Sequence, residues 1–120
     1  MARLAIKRVY EPPTPGDGWR ILVDRLWPRG LSKDQAHVAH WAKEVAPSDE
    51  LRQWFGHEPQ KWPVFQQRYF AELDAQAEVV RALVAELKSH PHSTLLYAAK
   101  DEAHNNAVAL HAYLARHGLH

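Results

Sequence analysis

Two runs of this chain are apolar on both faces, and that pattern constrains the fold more than any other feature. The first is "WRILVDRLW" (residues 19–27), centred on Ile21, Leu22 and Val23. The second is "STLLYAA" (residues 93–99), far along the chain. A strand apolar on both faces belongs inside a sheet covered on both sides, and such sheets are mostly parallel. Parallel strands need long crossovers, usually helical. The intervening sequence supplies them. "LAIKRVY" (4–10) alternates and reads as a further strand, and residues 38–45 within "HVAHWAKEVAPS" fit either a fourth strand, the favoured reading, or a short helix.

The helices carry clear signals. Ser32 is placed to N-cap a short helical turn. Ser48 N-caps a longer helix, with Asp49 and Glu50 in its first turn, where the helix dipole favours acids. Trp62, Phe65, Tyr69 and Leu73 share one face of a third helix, and Pro63 suits its first turn. Val79, Val80, Leu83, Val84 and Leu87 stripe a fourth, which Pro91 ends. A last helix is expected from an N-cap at Asp101, through Ala103, Ala107, Leu110 and Leu114, to Gly118. Residues 11–18 hold three prolines and two glycines and read as a mobile loop. The expectation is one α/β domain over residues 1–120. It is a three-layer Rossmann-like unit with a small, mostly parallel sheet of about four strands flanked by helices.

Composition excludes several chemistries. The 120 residues include no cysteine, which rules out disulfides, thiolate metal sites and cysteine nucleophiles. The net charge of +1 makes the whole chain a poor polyanion binder, so attraction to phosphate must be local. No stretch approaches the roughly 20 apolar residues of a membrane span, and the start of the chain does not read as a signal peptide. A cytoplasmic protein with no membrane partner is expected. His37 with His40, His90 with His92, or Asp101 with His104 could each ligate zinc, but no two strong pairs stand at a known ligand spacing, so no metal site is expected.

Ligands of parallel α/β sheets bind beyond the carboxyl ends of the strands. Two polar clusters should meet there: "VDRLWPRG" (23–30) and "KDEAHN" (100–105). Arg25, Arg29 and Lys100 suit an anion, and arginine can grip a carboxylate or phosphate with two parallel hydrogen bonds. Trp27 suits a planar ring or a guanidinium. Asp24 and Asp101 are the candidate general acid and base. Lys43, His57, Tyr69 and Asn105 complete the candidate ligand-binding set. The competing reading makes Asp24, Arg25 and Arg29 an internal charge brace, Asp101 a mere helix cap and Tyr69 a core residue.

The stretches "VDRLWPRG", "WAKEVAPSDELRQWFGH", "KWPVFQQRYFAEL" and "LLYAAKDEAHNNAVAL" resemble the YeaO-like branch of the DUF488 family, over nearly the whole chain and in the family's order. The resemblance implies a compact α/β fold. It implies no established activity, substrate, cofactor or oligomeric state. The polar residues of the family pattern are Asp24, Arg25, Trp27, Arg29, Lys43, Ser48, His57, Tyr69, Lys100 and Asp101. Other branches carry cysteines near the last strand, so no thiol mechanism transfers to this chain. Three functions follow. The first is binding of, or action on, an anionic, phosphate- or nucleotide-like small molecule. The alternatives are a nucleic-acid-binding accessory protein, which the net charge disfavours, and a non-catalytic interaction domain with a structural charge cluster.

Overall fold

A computed structural model describes residues 2–119. Four strands, β1 (Arg3–Arg8), β2 (Trp19–Leu22), β3 (His40–Trp41) and β4 (His92–Tyr97), form one sheet in the order β1-β4-β2-β3. Every pairing is parallel, with Ile6 and Ile21 flanking Leu95 on its two sides. The helices are α1 (Lys33–Ala36), α2 (Asp49–Phe55), α3 (Trp62–Asp74), α4 (Ala77–Lys88) and α5 (Asn106–Ala115). The three-layer α/β reading holds, and β2 and β4 are the two interior strands, as their two-faced apolar character requires.

The two outer layers are unequal. Leu4, Ile21, Leu95 and Tyr97 project onto one face of the sheet, where the apolar sides of α2, α3, α4 and α5 cover them. Leu22 and Leu96 project to the other face. They meet Ala36 of the four-residue α1, together with Trp27, Leu31, Val38 and Trp41 from the flanking loops. Part of that thin layer is ionic. Arg20, 5% exposed, pairs with Asp17 at 2.5 Å and donates to the carbonyls of Ala36 and His37. Lys7 reaches the same carboxylate at 3.0 Å. Thr94 donates its hydroxyl to the Asp17 carbonyl at 2.7 Å. A buried acid between two bases therefore exists in this protein, but it is built on Asp17. The segment 11–18, expected as a mobile loop, is anchored by it and carries a 3-10 turn at Pro15–Asp17.

Three boundaries differ from expectation. β2 stops at Leu22 rather than running to Trp27. One more ladder bond follows, from Val23 N–H to the Leu96 carbonyl, and then the Asp24 carboxylate takes the next N–H, that of Ala98. β3 spans two residues rather than 38–45, because its partner β2 ends at Leu22. Ala42 makes the last bond to the Leu22 carbonyl, and Lys43–Val45 turns away as a 3-10 turn. α5 begins at Asn106, N-capped by Asn105, and not at Asp101. Asp101 instead accepts the N–H groups of Ala103 and His104 in a separate turn, which leaves Ala103 exposed and outside the helix. Ser32 and Ser48 cap α1 and α2 as expected.

Burial alone would raise the Asp17 pKa, but hydrogen bonds from Thr14, Lys7 and Arg20 outweigh it and hold the carboxyl well below its usual 3.8. A depressed carboxyl contributes stability above its unfolded pKa and loses it as pH falls. Asp17→Asn should therefore cost about 3 kcal/mol or more in urea unfolding at pH 7, since it strands two bases. The gap to wild type should narrow as pH drops below 4. A loss under about 1 kcal/mol at pH 7 would refute the role given to this triad.

Candidate functional site

An open cleft of about 1040 Å³ lies beyond the carboxyl ends of β1, β2 and β4. Its size suits a ligand larger than a simple ion. The end of β1 contributes Arg8, and the turn beyond it contributes Tyr10. The turn after β2 contributes residues 24–29, and the segment after β4 contributes Ala98 to Asp101, Asn105 and Asn106. The end of α2 and the following turn add Arg52, Gln53, Phe55, Gly56 and His57. Eight of the ten expected site residues thus line one cleft: Asp24, Arg25, Trp27, Arg29, His57, Lys100, Asp101 and Asn105.

Asp24 occupies the junction of three elements. Its Oδ2 accepts the Ala98 N–H at 2.9 Å, just past β4. Its Oδ1 accepts the side-chain amide of Asn106 at 3.1 Å, in the first turn of α5. The same Asn106 amide donates to the Val23 carbonyl at 2.9 Å. Burial raises the Asp24 pKa, opposed by the hydrogen bonds from Asn106 and Ala98 and by the charge of His57. No arginine reaches the carboxylate among the described residues, so the acid is not the hub of a charge brace with Arg25 and Arg29.

The arginines turn elsewhere. Arg25 donates to the carbonyls of Pro47 (3.0 Å) and Ala46 (3.4 Å), and lies 3.8 Å from the exposed Asp49. It ties the turn after β2 to the segment leading into α2. Arg29 is exposed, and only its backbone is engaged, accepting the Tyr10 hydroxyl at 2.7 Å. Lys100 is also exposed, and among the described residues neither it nor the Arg29 side chain has a hydrogen-bond or ion-pair partner. Both are therefore available to a ligand. Trp27 packs edge-on against Trp41 at 5.3 Å and donates its indole N–H to the Leu31 carbonyl, leaving part of the ring on the cleft.

Asp101 lies at the rim. Backbone N–H groups of Ala103 and His104 and the His104 ring bind its carboxylate, and they hold its pKa below the usual value. His57 follows Gly56 into the left-handed region, with φ of 59° and 53° respectively. That conformation is uncommon for a residue with a side chain, and it places His57 on the cleft.

Tyr69 and Lys43 do not line the cleft. Tyr69 is fully buried in the core and donates its hydroxyl to the Val45 carbonyl, and burial pushes its pKa far up. Lys43 lies over the Trp41 ring at 4.2 Å. Ser48 caps α2 and donates its hydroxyl to Glu72 at 2.5 Å. Sequence reasoning missed Arg8, Arg52 and Asn106. The strand-end rule that singled out Asp24 and Lys100 also applies to Arg8, the last residue of β1. Arg52 and Asn106 sit in helical turns and carry no comparable signal. Among the described residues no group of three or more His, Asp or Glu side chains stands close enough to hold a metal ion. No helix there is long and apolar enough to cross a membrane.

Fold and cleft together define a small parallel α/β domain with a ligand-sized opening at the carboxyl edge of its sheet. A family model, DUF488-N3i, described as "Inactive DUF488-N3 subclade", matches residues 3–118, and the chain belongs to this YeaO-like part of the DUF488 family. It is 44% identical over 108 residues to "Uncharacterized protein YeaO" of Escherichia coli (strain K12), covering 90% of this chain and 93% of that one. It is 41% identical over 108 residues to "Uncharacterized protein Rv3073c" of Mycobacterium tuberculosis (strain ATCC 25618 / H37Rv), covering 90% of each. No solved structure matches the chain at a significant level.

The different engagement of the arginines separates brace from ligand contact. Arg25→Ala should lower stability by about 1–2 kcal/mol, from the lost bonds to the Pro47 and Ala46 carbonyls. Arg29→Ala and Lys100→Ala should each stay within about 0.5 kcal/mol of wild type. Urea unfolding of the three variants checks this. An Arg29→Ala protein as unstable as Arg25→Ala would place Arg29 in the fold's framework instead.

Proposed function

We propose that this protein binds an anionic, phosphate- or nucleotide-like small molecule in the cleft at the carboxyl edge of the sheet, and does so without converting it. The observation that carries the reading is the local charge. Five basic side chains line the cleft, Arg8, Arg25, Arg29, Arg52 and Lys100, against two acids, Asp24 and Asp101. The chain as a whole carries only +1. A basic concavity on a near-neutral protein concentrates anions where the field lines converge. Arg29 and Lys100, exposed and uncommitted, are the first contacts. Leu26, Trp27, Phe55 and Phe65 supply an apolar wall for the rest of a ligand. Binding without turnover accords with the word "Inactive" in the description of the matching family.

A thermal-shift series with inorganic phosphate, nucleoside monophosphates and sulfate tests the reading. At a ligand concentration 100 times Kd, binding adds about 2.7 kcal/mol, a Tm rise of roughly 10 °C for a chain of this size. The double variant Arg29→Ala/Lys100→Ala should keep the unliganded Tm and lose most of that rise. If no anion moves the wild-type Tm, the reading fails.

A further inference from the structure

Asp24 is at odds with the cleft it lines. It is a half-buried carboxylate in a cleft lined by five bases, yet it forms no ion pair within 4.0 Å among the described residues. Each of its oxygens accepts one hydrogen bond, from Ala98 N–H and from the Asn106 amide. An ionised carboxylate has about four acceptor positions. Asp24 thus keeps acceptor capacity on the cleft side and repels any purely anionic ligand that approaches it. A ligand suited to the whole cleft brings hydrogen-bond donors to Asp24 and negative charge to Arg29 and Lys100.

Bare phosphate meets only half of that requirement and fills little of a cleft of about 1040 Å³. A vicinal diol presents two hydroxyls to one carboxylate, and in ribose phosphates the diol lies a short distance from the phosphate. An acid near the carboxyl edge of a parallel α/β sheet is well placed for ribose hydroxyls. Resting on the anion-binding reading above, we propose that the ligand is a phosphorylated ribose, free or within a nucleotide. Asp24 accepts its hydroxyls, and Arg29 and Lys100 hold its phosphate. Asn106 and Ala98 act as positioning groups that fix the carboxylate for this contact.

Isothermal titration of the wild-type protein with five probes tests this: inorganic phosphate, ribose 5-phosphate, 2-deoxyribose 5-phosphate, AMP and 2′-deoxy-AMP. Each ribose compound should bind about tenfold or more tightly than its deoxy partner, the effect of one hydrogen bond to a charged acceptor. Asp24→Ala, checked for folding by circular dichroism, should bring each pair within about twofold. Should that variant not fold, the wild-type comparison of ribose and deoxy compounds decides alone. AMP binding more tightly than ribose 5-phosphate would assign the apolar wall to a base, and equal binding would assign the site to the sugar phosphate. Equal affinity for ribose and deoxy partners would overturn the role of Asp24 and leave anion binding standing. Failure of all five probes to bind would overturn both.

Discussion

The parallel pairing of β2 with β4, which sets Ile21 beside Leu95 and Leu22 beside Leu96, governs where every functional group falls. The two strands run parallel, so both end at the same edge of the sheet. The turn after β2 and the segment after β4 then leave side by side, although they lie far apart in sequence. Asp24 secures the arrangement. Its carboxylate takes the N–H of Ala98 and the amide of Asn106, which joins the ends of both strands to the first turn of α5. The cleft forms around that junction. The opposite edge is closed by contacts of another kind, where Trp19 stacks between His90 at 4.3 Å and His40 at 5.8 Å.

The uneven layers explain why two acid-base clusters coexist with different tasks. Four helices cover one face of the sheet, and a four-residue helix with loops covers the other. The thin side cannot bury enough apolar surface to order the proline-rich segment before β2. Asp17, Lys7 and Arg20 do so instead, and the hydrogen bonds to Thr14, Ala36, His37 and Thr94 satisfy the remaining polar groups. A buried charge set stays tolerable when its hydrogen bonds are complete. Asp24 is held differently, by neutral donors, with bases lining the cleft around it and none paired to it. Asp17 braces the fold by pairing with two bases, whereas Asp24 joins the strand ends through neutral donors and also lines the cleft.

Much of this was legible from residue pattern. Periodicity located the interior strands, and Ser32 and Ser48 located two helix starts, because capping is a local interaction written in adjacent residues. The convergence of "VDRLWPRG" with "KDEAHN" followed from strand direction alone. What escaped notice depended on tertiary contacts. Asp17 sits in a stretch whose prolines and glycines read as mobile, and nothing local shows that Lys7 and Arg20 will close on it. Asp101 has the side chain of a helix cap, but it caps a turn five residues before the helix begins. Tyr69 belongs to the family pattern, yet its hydroxyl serves the Val45 carbonyl inside the core. β3 proved short because its partner strand ends, a limit that its own sequence does not carry.

The carboxyl edge of the sheet is the proposed ligand site. An amide chemical-shift titration of the 15N-labelled protein with AMP tests it most directly. Saturable shifts should concentrate at Asp24, Arg29, Ala98, Lys100 and Asn106, with Trp19, His40 and His90 unmoved. Shifts centred on those last three residues, or no saturable shift at millimolar AMP, would contradict it.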